Sequence, residues 1–456
     1  MRCTRRLALG ALFGAVLSGC GGGGSGDAGS SSTPVAGTGA GATPASASGG
    51  AGAGSGSTPA PAPSPQAFSA FGPDIVASNA SDLDAPAVAR LSDGGNVVLW
   101  VQGNAILGRL TDAAGALVGD TFTAVEAVAD GSSPLGLGGV SVAPAGDGGF
   151  VIAWRHETSQ PTTQFNSVTA VQAKRFTRDA SPMWETQASA SLYAGVSRPV
   201  IEPQGDGFVL AWIGEEVLTA PQWAYLQRLS GDGDRLGADV RVDDASAPQE
   251  RVGVAPLADG TVVAVWHQRA FGEPNTHTLH MRRFAADLSP LTATVALPGF
   301  PSQTVFPVDA EALNDGHVAI AWGATGENTR PFVRTAVFTP EGQVVSAVQE
   351  NVLELPPSDL RVLSLGASGY GVAWQVENAG SRQISASLFL QRMDLAGHPL
   401  GGPQEFDRRL TFWVSPTVGT TVRAGSGIDI KGGADGHFVA AFHRADENPN
   451  TYLMAR

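Results

Sequence analysis

The sequence predicts an all-β protein, a seven-bladed β-propeller of four-stranded blades closed by an N-terminal strand that completes the C-terminal blade. Three observations carry this expectation. A phrase made of a tight turn, an apolar run and an aromatic residue recurs seven times, a second phrase ending in Arg follows most copies, and the repeats begin and end out of phase. The composition agrees. With 59 Gly, 30 Pro and 15% charged residues in 456, the chain is poor in helix formers and too apolar to stay unfolded.

The first phrase appears as Asp93-Gly94-Gly95-Asn96-Val97-Val98-Leu99-Trp100, and again at Asp147 to Trp154, Asp206 to Trp212, Asp259 to Trp266, Asp315 to Trp322, Gly369 to Trp374 and Asp435 to Phe442. Its aromatic residues lie 54, 58, 54, 56, 52 and 68 positions apart, enough for four short strands and their turns. The second phrase reads Leu107-Gly108-Arg109-Leu110, Ala173-Lys174-Arg175-Phe176, Leu226-Gln227-Arg228-Leu229, Met281-Arg282-Arg283-Phe284 and Leu390-Gln391-Arg392-Met393. The fifth unit departs from it with Thr335-Ala336-Val337-Phe338. A strand A before the turn, B to the aromatic residue, C to the Arg and D after the next turn account for each unit. The nearly continuous apolar B strands suit the covered middle of a blade.

The ends of the chain fit this order. The seventh unit stops after its C strand, and residues 71–77 look like a D strand with no A, B or C before it. Pairing the two completes one blade and removes an exposed edge. The repeats resemble the "DGGFVVAW... AQRFD" units of large bacterial surface and secreted proteins. That resemblance covers residues 71–456, implies a propeller-like fold and carries no assigned chemistry.

Upstream, residues 1–19 read as an export signal: Arg2, Arg5 and Arg6 precede a short apolar core, Leu7 to Leu17. The segment Leu17-Ser18-Gly19-Cys20 resembles the lipobox of bacterial lipoproteins. This implies a signal peptide removed before Cys20, acylation of Cys20 with palmitate-type chains, and, with Gly21 in place of an Asp, anchoring in the outer membrane. Residues 20–66 are almost only Gly, Ala, Ser, Thr and Pro and read as a disordered tether, because they bury too little apolar area to offset ordering. Residues 67–456 form the propeller domain. Processing takes the formal charge from −14 to −17, which argues against a nucleic-acid partner. The expected membrane contact is the lipid alone, and the expected state is a monomer.

The recurring residues have structural explanations. Asp-Gly suits a hairpin turn, Trp packs between blades, and Arg stacks on it or cross-links neighbouring sheets. Function is expected on the face that carries the variable B-to-C and D-to-A loops, here taken to point away from the membrane. Its candidate ligand-binding residues are Arg155, His156 and Glu157; Glu215 with Glu216; His267, Arg269 and Glu273; Glu327 and Arg330; Glu377 and Arg382; and His443, Arg444, Asp446 and Glu447. Each alone is also ordinary loop composition. Between residues 407 and 433 the period lengthens and holds Arg408, Arg409, Phe412, Trp413 and Arg423, either a partner-binding flap or a long D strand and loop.

The folded region has no His-Glu-x-x-His, Gly-x-Ser-x-Gly, phosphate loop or Cys pair. Gly231-Asp232-Gly233-Asp234 reads as a turn, because it lacks further carboxylates at calcium-loop spacing. No metal, cofactor or catalytic set is expected. The reading is an exported, lipid-anchored binding or scaffold module for a protein or carbohydrate at the cell envelope. The alternative is an envelope polysaccharide lyase or glycoside hydrolase with carboxylates and His at the central mouth.

Overall fold

The computed structural model describes residues 75–78, 83–103, 105–126, 139–158, 168–216, 221–243, 247–270, 276–298, 307–325, 330–379, 383–413, 427–445 and 451–455. All belong to one compact unit, Pro63–Arg456. The signal, the tether and Cys20 lie outside the described residues, as do Glu273, Glu327, Arg382, Arg423, Asp446 and Glu447.

The fold is an all-β propeller of four-stranded antiparallel blades. The first strand in the chain is β1 (Ile75–Ser78). Six blades then follow, each drawn from consecutive strands. Blade I holds β2 (Leu83–Arg90), β3 (Asn96–Gln102), β4 (Ala105–Thr111) and β5 (Leu117–Val125). Blade II holds β6 (Val140–Pro144), β7 (Phe150–Thr158), β8 (Val168–Phe176) and β9 (Pro182–Gln187). In blade III the inner strand is split into β10 (Gly195–Val196) and β11 (Val200–Gln204), followed by β12 (Gly207–Glu215), β13 (Gln222–Leu229) and β14 (Val240–Arg241). Pro199 sits in the split, where a strand that must donate to a ladder has no use for it.

Blade IV holds β15 (Gln249–Pro256), β16 (Val262–Ala270), β17 (Thr276–Phe284) and β18 (Val295–Ala296). Blade V holds β19 (Val308–Ala312), β20 (Val318–Thr325), β21 (Pro331–Phe338) and β22 (Gln349–Val352). Blade VI holds β23 (Pro357–Ser364), β24 (Tyr370–Ala379), β25 (Gln383–Met393) and β26 (Gln404–Trp413). The remaining sheet is composite: β27 (Ile428–Gly432), β28 (Phe438–Ala445) and β29 (Thr451–Ala455) stand beside β1 in the order β1-β29-β28-β27. Seven equivalent blades were expected. Six are built from uninterrupted chain, and the last sheet differs because its strands come from both ends of the described fold. The long spacing after Trp374 is in part a long outer strand, since β26 pairs with β25 as far as Trp413.

The aromatic residue of each repeat packs against the preceding sheet. Trp154 joins Ala87, Leu99 and Ile106 of blade I, Trp212 joins Val151 and Val171 of blade II, and Trp266 joins Val209 and Leu226 of blade III. Trp322 packs on Val265 and Met281, Trp374 on Val333 and Val337, Phe442 on Leu363 and Leu388, and Trp100 on Val439 and Ala441 of β28. All are buried. Burial of such rings makes the inter-blade seams the main apolar core.

The Asp-Gly turns fix one face. Gly148 (φ 92°) and Gly260 (φ 82°) take the left-handed conformation that the turn demands. One carboxylate oxygen of the turn Asp accepts the N–H two residues on: Gly95 to Asp93 at 2.9 Å, Gly149 to Asp147 at 3.1 Å, His437 to Asp435 at 3.1 Å. The second oxygen receives an Arg: Arg178 on Asp93 at 2.6 Å, Arg175 on Asp147 at 2.9 Å, Arg283 on Asp259, and Arg90 on Asp435. Arg178 and Arg90 cross between sheets. Arg175 and Arg228 also donate to the backbone carbonyls of Gly231 and Ala286 in the next blade, and Arg283 pairs with Glu341. Three of the repeated Arg, Arg175, Arg228 and Arg283, therefore cross-link neighbouring sheets through turns, whereas Arg109 donates to Gly119 and Thr121 of its own blade.

At the axis the inner strands have an edge with no strand beyond it. Three carboxylates cap edge N–H groups of the next sheet: Asp309 accepts from Val362 at 2.9 Å, Asp359 from Ile428 at 3.1 Å, and Asp429 from Val88 at 2.9 Å. Asp429, only 7% exposed, also binds Arg361 at 3.4 Å. Replacing it orphans a buried amide and takes from Arg361 one of its two carboxylate partners. Asp429→Ala is expected to lose about 3 kcal/mol in urea unfolding, with Asp429→Asn intermediate because its amide oxygen still accepts from Val88. A loss below about 0.5 kcal/mol would show that the cap carries no weight.

Candidate functional site

The first halves of the inner strands surround an axial cavity of about 380 Å³. Its lining runs from Gly139 and Ser141 through Ser197–Glu202, Glu250–Val252 and Pro307–Asp309 to Ser358–Arg361 and Gly427–Lys431. Because inner strands start after the D-to-A connections, the cavity lies at the variable-loop end. Its size falls at the low end of small-ligand pockets, about 300–1,000 Å³.

Four cations and five carboxylates line it, and most are already paired. Arg361 donates to Asp359 at 2.6 Å as well as to Asp429. Lys431, one of two lysines in the chain, pairs across the channel with Glu202 of blade III. Arg198, freed to turn inward beside Pro199, reaches the Pro86 carbonyl of blade I at 3.2 Å and lies 4.0 Å from Asp429. Long side chains thus brace the channel from blade III to blade I and the composite sheet.

The electrostatics follow from enclosure. Asp309 touches the cavity but is otherwise surrounded by protein, and burial pushes its carboxyl up to about 6 against the pull of Arg361 and Lys431. Glu311, two residues on, is also pushed up, first by burial and then by the Glu202 and Asp309 charges. For Lys431 and Arg361 burial works downward, but the surrounding carboxylates outweigh it and hold both firmly charged. Among the described residues no cluster of His, Cys, Asp and Glu is arranged for a metal.

Among the described residues, none of those expected from the loops lines this cavity. Arg155 lies on β7 and spends its guanidinium on the Val196 carbonyl at 3.2 Å and on Glu157 at 3.7 Å, so it ties blade II to blade III. His156 and Glu157 share that strand. Glu215 ends β12, and its carbonyl accepts from Ala194, while Glu216 accepts from Tyr225 at 2.6 Å. His267 corrects the loop assignment most sharply. It lies inside β16, fully buried, and burial drives its pKa down to about 3, which keeps it neutral.

Arg269 sits 3.9 Å from Glu250, Glu377 accepts from Gln375 at 2.5 Å, and Arg330 is exposed. His443 and Arg444 occupy β28. The B and C strands run further out than the repeat suggests, so Arg155, His156, Glu157, Glu215, His267, Arg269, Glu377, His443 and Arg444 are strand residues, while Glu216 and Arg330 lie just outside the strands.

The cavity residues left a readable trace. In Val308-Asp309-Ala310-Glu311, Leu360-Arg361-Val362 and Ile428-Asp429-Ile430-Lys431, charges interrupt otherwise apolar inner strands at a spacing of two. Asp309, Arg361 and Asp429 pair with Ala321, Ala373 and Ala441, each the residue just before the repeat's aromatic side chain.

No protein-family profile matches the chain, and no curated protein matches it. Solved structures resemble it at low identity. An α-L-arabinanase of Penicillium chrysogenum complexed with arabinobiose is 12% identical, with a TM-score of 0.43, covering 75% of this chain and 98% of its own. An ulvan lyase of polysaccharide lyase family PL25, bound to -[GlcA(1-4)Rha3S]-, is 10% identical, with a TM-score of 0.47, covering 83% and 98%. AofleA of Arthrobotrys oligospora is 10% identical, with a TM-score of 0.41, covering 74% and 91%.

The raised Asp309 pKa gives stability a definite pH dependence. The folded state holds this proton to about pH 6, whereas an unfolded Asp releases it near its ordinary 3.8. Ionising Asp309 therefore costs stability as pH climbs through that window, and costs nothing below it. Asp309→Asn keeps the acceptor for Val362. It is expected to be more stable than the wild type by about 1–3 kcal/mol near neutral pH, with the difference vanishing near pH 4, as read from urea midpoints. An equal gain at both pH values would refute the assignment.

Proposed function

We propose that the chain is an exported propeller, lipid-anchored in the outer membrane through Cys20, that works as a monomeric binding module. It holds a carbohydrate or protein partner at the mouth of the axial cavity. The observation that carries this reading is the state of the cavity's charges. Asp359 and Asp429 are occupied as backbone acceptors and as partners of Arg361, and Glu202 is held by Lys431. Groups locked in this way shape and polarise a pocket, but they are not free to shuttle protons. On the same reading, the composite sheet is a seventh blade in which β1 supplies the outer strand. The register Ile75 to Ala455 and Val76 to Met454 supports it, as does the packing of Trp100 on β28.

One observation favours a second reading, an envelope polysaccharide lyase or glycoside hydrolase. Asp309 at the cavity wall has a raised pKa, as has Glu311 two residues on, the property of a carboxylic acid kept protonated for donation. A polysaccharide panel separates the two readings, since the enzyme shortens its ligand and the module returns it intact.

Ser358 lines the mouth and is exposed, so a Trp there blocks the cavity with little disturbance of the fold. Against a panel of envelope polysaccharides and proteins, Ser358→Trp is expected to weaken binding by about tenfold or more, while Arg330→Ala on the rim leaves it unchanged. Equal affinity of the Ser358→Trp and wild-type proteins would dismiss the cavity. Expression in cells checks the remaining parts together. Cys20→Ser is expected to lose incorporation of labelled palmitate, and a chain lacking residues 75–82 is expected to be cleared faster by protease. Retained label would dismiss the anchor, and unchanged protease resistance would dismiss β1 as a blade strand.

A further inference from the structure

We propose that the axial cavity takes an acidic saccharide, with a carboxylate or sulfate paired to Arg251 and sugar hydroxyls meeting Ser141. This rests on the reading of the cavity as the binding site. Among the four lining cations, Arg361 and Lys431 are neutralised by carboxylates, and Arg198 reaches the Pro86 carbonyl and Asp429. Arg251 differs. It sits at a register break of β15, is exposed, lines the cavity, and has no ion-pair partner among the described residues.

The groups around Arg251 do not quench it. Its neighbour Glu250 is turned toward Arg269 at 3.9 Å and His277 at 3.4 Å. His267 and His277 are both held toward the neutral form by burial.

Ser141, on the inner strand of blade II, supplies an independent observation. It lines the cavity, is only 9% exposed, and its hydroxyl finds no partner among the described residues. Buried polar groups are rarely left unsatisfied, and a hydroxyl beside a cavity is satisfied by what enters it. A planar guanidinium recognises carboxylate and sulfate oxygens in pairs, and a serine hydroxyl both donates to and accepts from a sugar hydroxyl. The chain as a whole is acidic, with a formal charge of −14, and repels polyanions at long range. A free cation at the mouth therefore acts by close contact, which selects an acid-bearing unit presented singly and not a uniformly charged surface.

Calorimetry on the full mature chain tests this with β-1,4-linked tetramers of one backbone: the glucuronate tetramer, the 6-O-sulfated glucose tetramer and unmodified cellotetraose. Sodium sulfate and tetraglutamate serve as controls. The glucuronate or the sulfated tetramer is expected to bind at least about tenfold more tightly than cellotetraose, and whichever binds better identifies the acid. Arg251→Ala is expected to remove that preference, Arg251→Lys to keep part of it, and Ser141→Val to weaken all sugars alike. Rising salt is expected to erode the preference.

Equal binding of acidic and neutral tetramers, no binding of any tetramer, wild-type affinity in Arg251→Ala, or tighter binding of tetraglutamate would each overturn the inference. If Ser358→Trp abolishes binding of equally bound tetramers, the cavity reading stands and only the acid preference falls. If Ser358→Trp binds the glucuronate tetramer like the wild type, the cavity reading falls with it.

Discussion

The inner edge of each sheet sets the terms for the rest of the molecule. A strand that faces the axis has backbone N–H groups with no further strand to receive them, and buried amides must find acceptors. Asp309, Asp359 and Asp429 provide those acceptors by reaching from one sheet to the next. Carboxylates in such a confined place need countercharge, since a lone buried ion is far more costly than a paired one. Arg361 and Lys431 supply it. A chain with only two lysines places one of them here. The charged axle is thus a consequence of backbone accounting, and the cavity above it inherits its polarity.

The opposite end solves a related problem with other residues. Four turn Asp residues, Asp93, Asp147, Asp259 and Asp435, close their own turn with one oxygen and receive an Arg on the other. These pairs are half exposed, so each adds little by itself. Their value lies in direction. Arg178 and Arg90 join turns of different sheets, and Arg283 adds Glu341 of the next blade, so the pairs set the angle between sheets while Trp burial between them supplies the apolar stabilisation. Motifs repeated seven times are here spent on architecture.

That division explains what the sequence disclosed. The turn, the apolar B strand and its Trp obey local rules, so strand order and blade length were legible from Asp93-Gly94 through Trp100 and its copies. The structural role of Arg was legible too, though its target was not: stacking on Trp and reaching for a turn look alike until the sheets are placed. The loop assignments failed for a physical reason. His267 and Arg155 follow the Trp directly, and sequence gives no mark where a strand whose outer half is half-polar gives way to a loop. His267 is buried because β16 runs on to Ala270. The charges of the inner strands carried a period-two signal, but three short segments far apart in sequence acquire meaning only when topology sets them around one axis.

The axial cavity is lopsided, and on the proposed reading the lopsidedness is what leaves it open to a ligand. At the register position where blade V has Asp309, blade VI Arg361 and the composite sheet Asp429, blades II, III and IV have Ser141, Val200 and Gly253. A Cβ on Gly253 would approach the Ala310 nitrogen to 3.2 Å, so blades IV and V meet tightly there. Blades V and VI and the composite sheet therefore brace one another with reciprocal charges. Blades II to IV have small or apolar residues at this register position, and of their lining charges Arg198 and Glu202 reach the composite sheet and Glu250 faces Arg269 and His277, which leaves Arg251 and the Ser141 hydroxyl. Where the repeat is kept, side chains are consumed by their neighbours. Where it lapses, unsatisfied groups face a space large enough to fill, and specific recognition requires both.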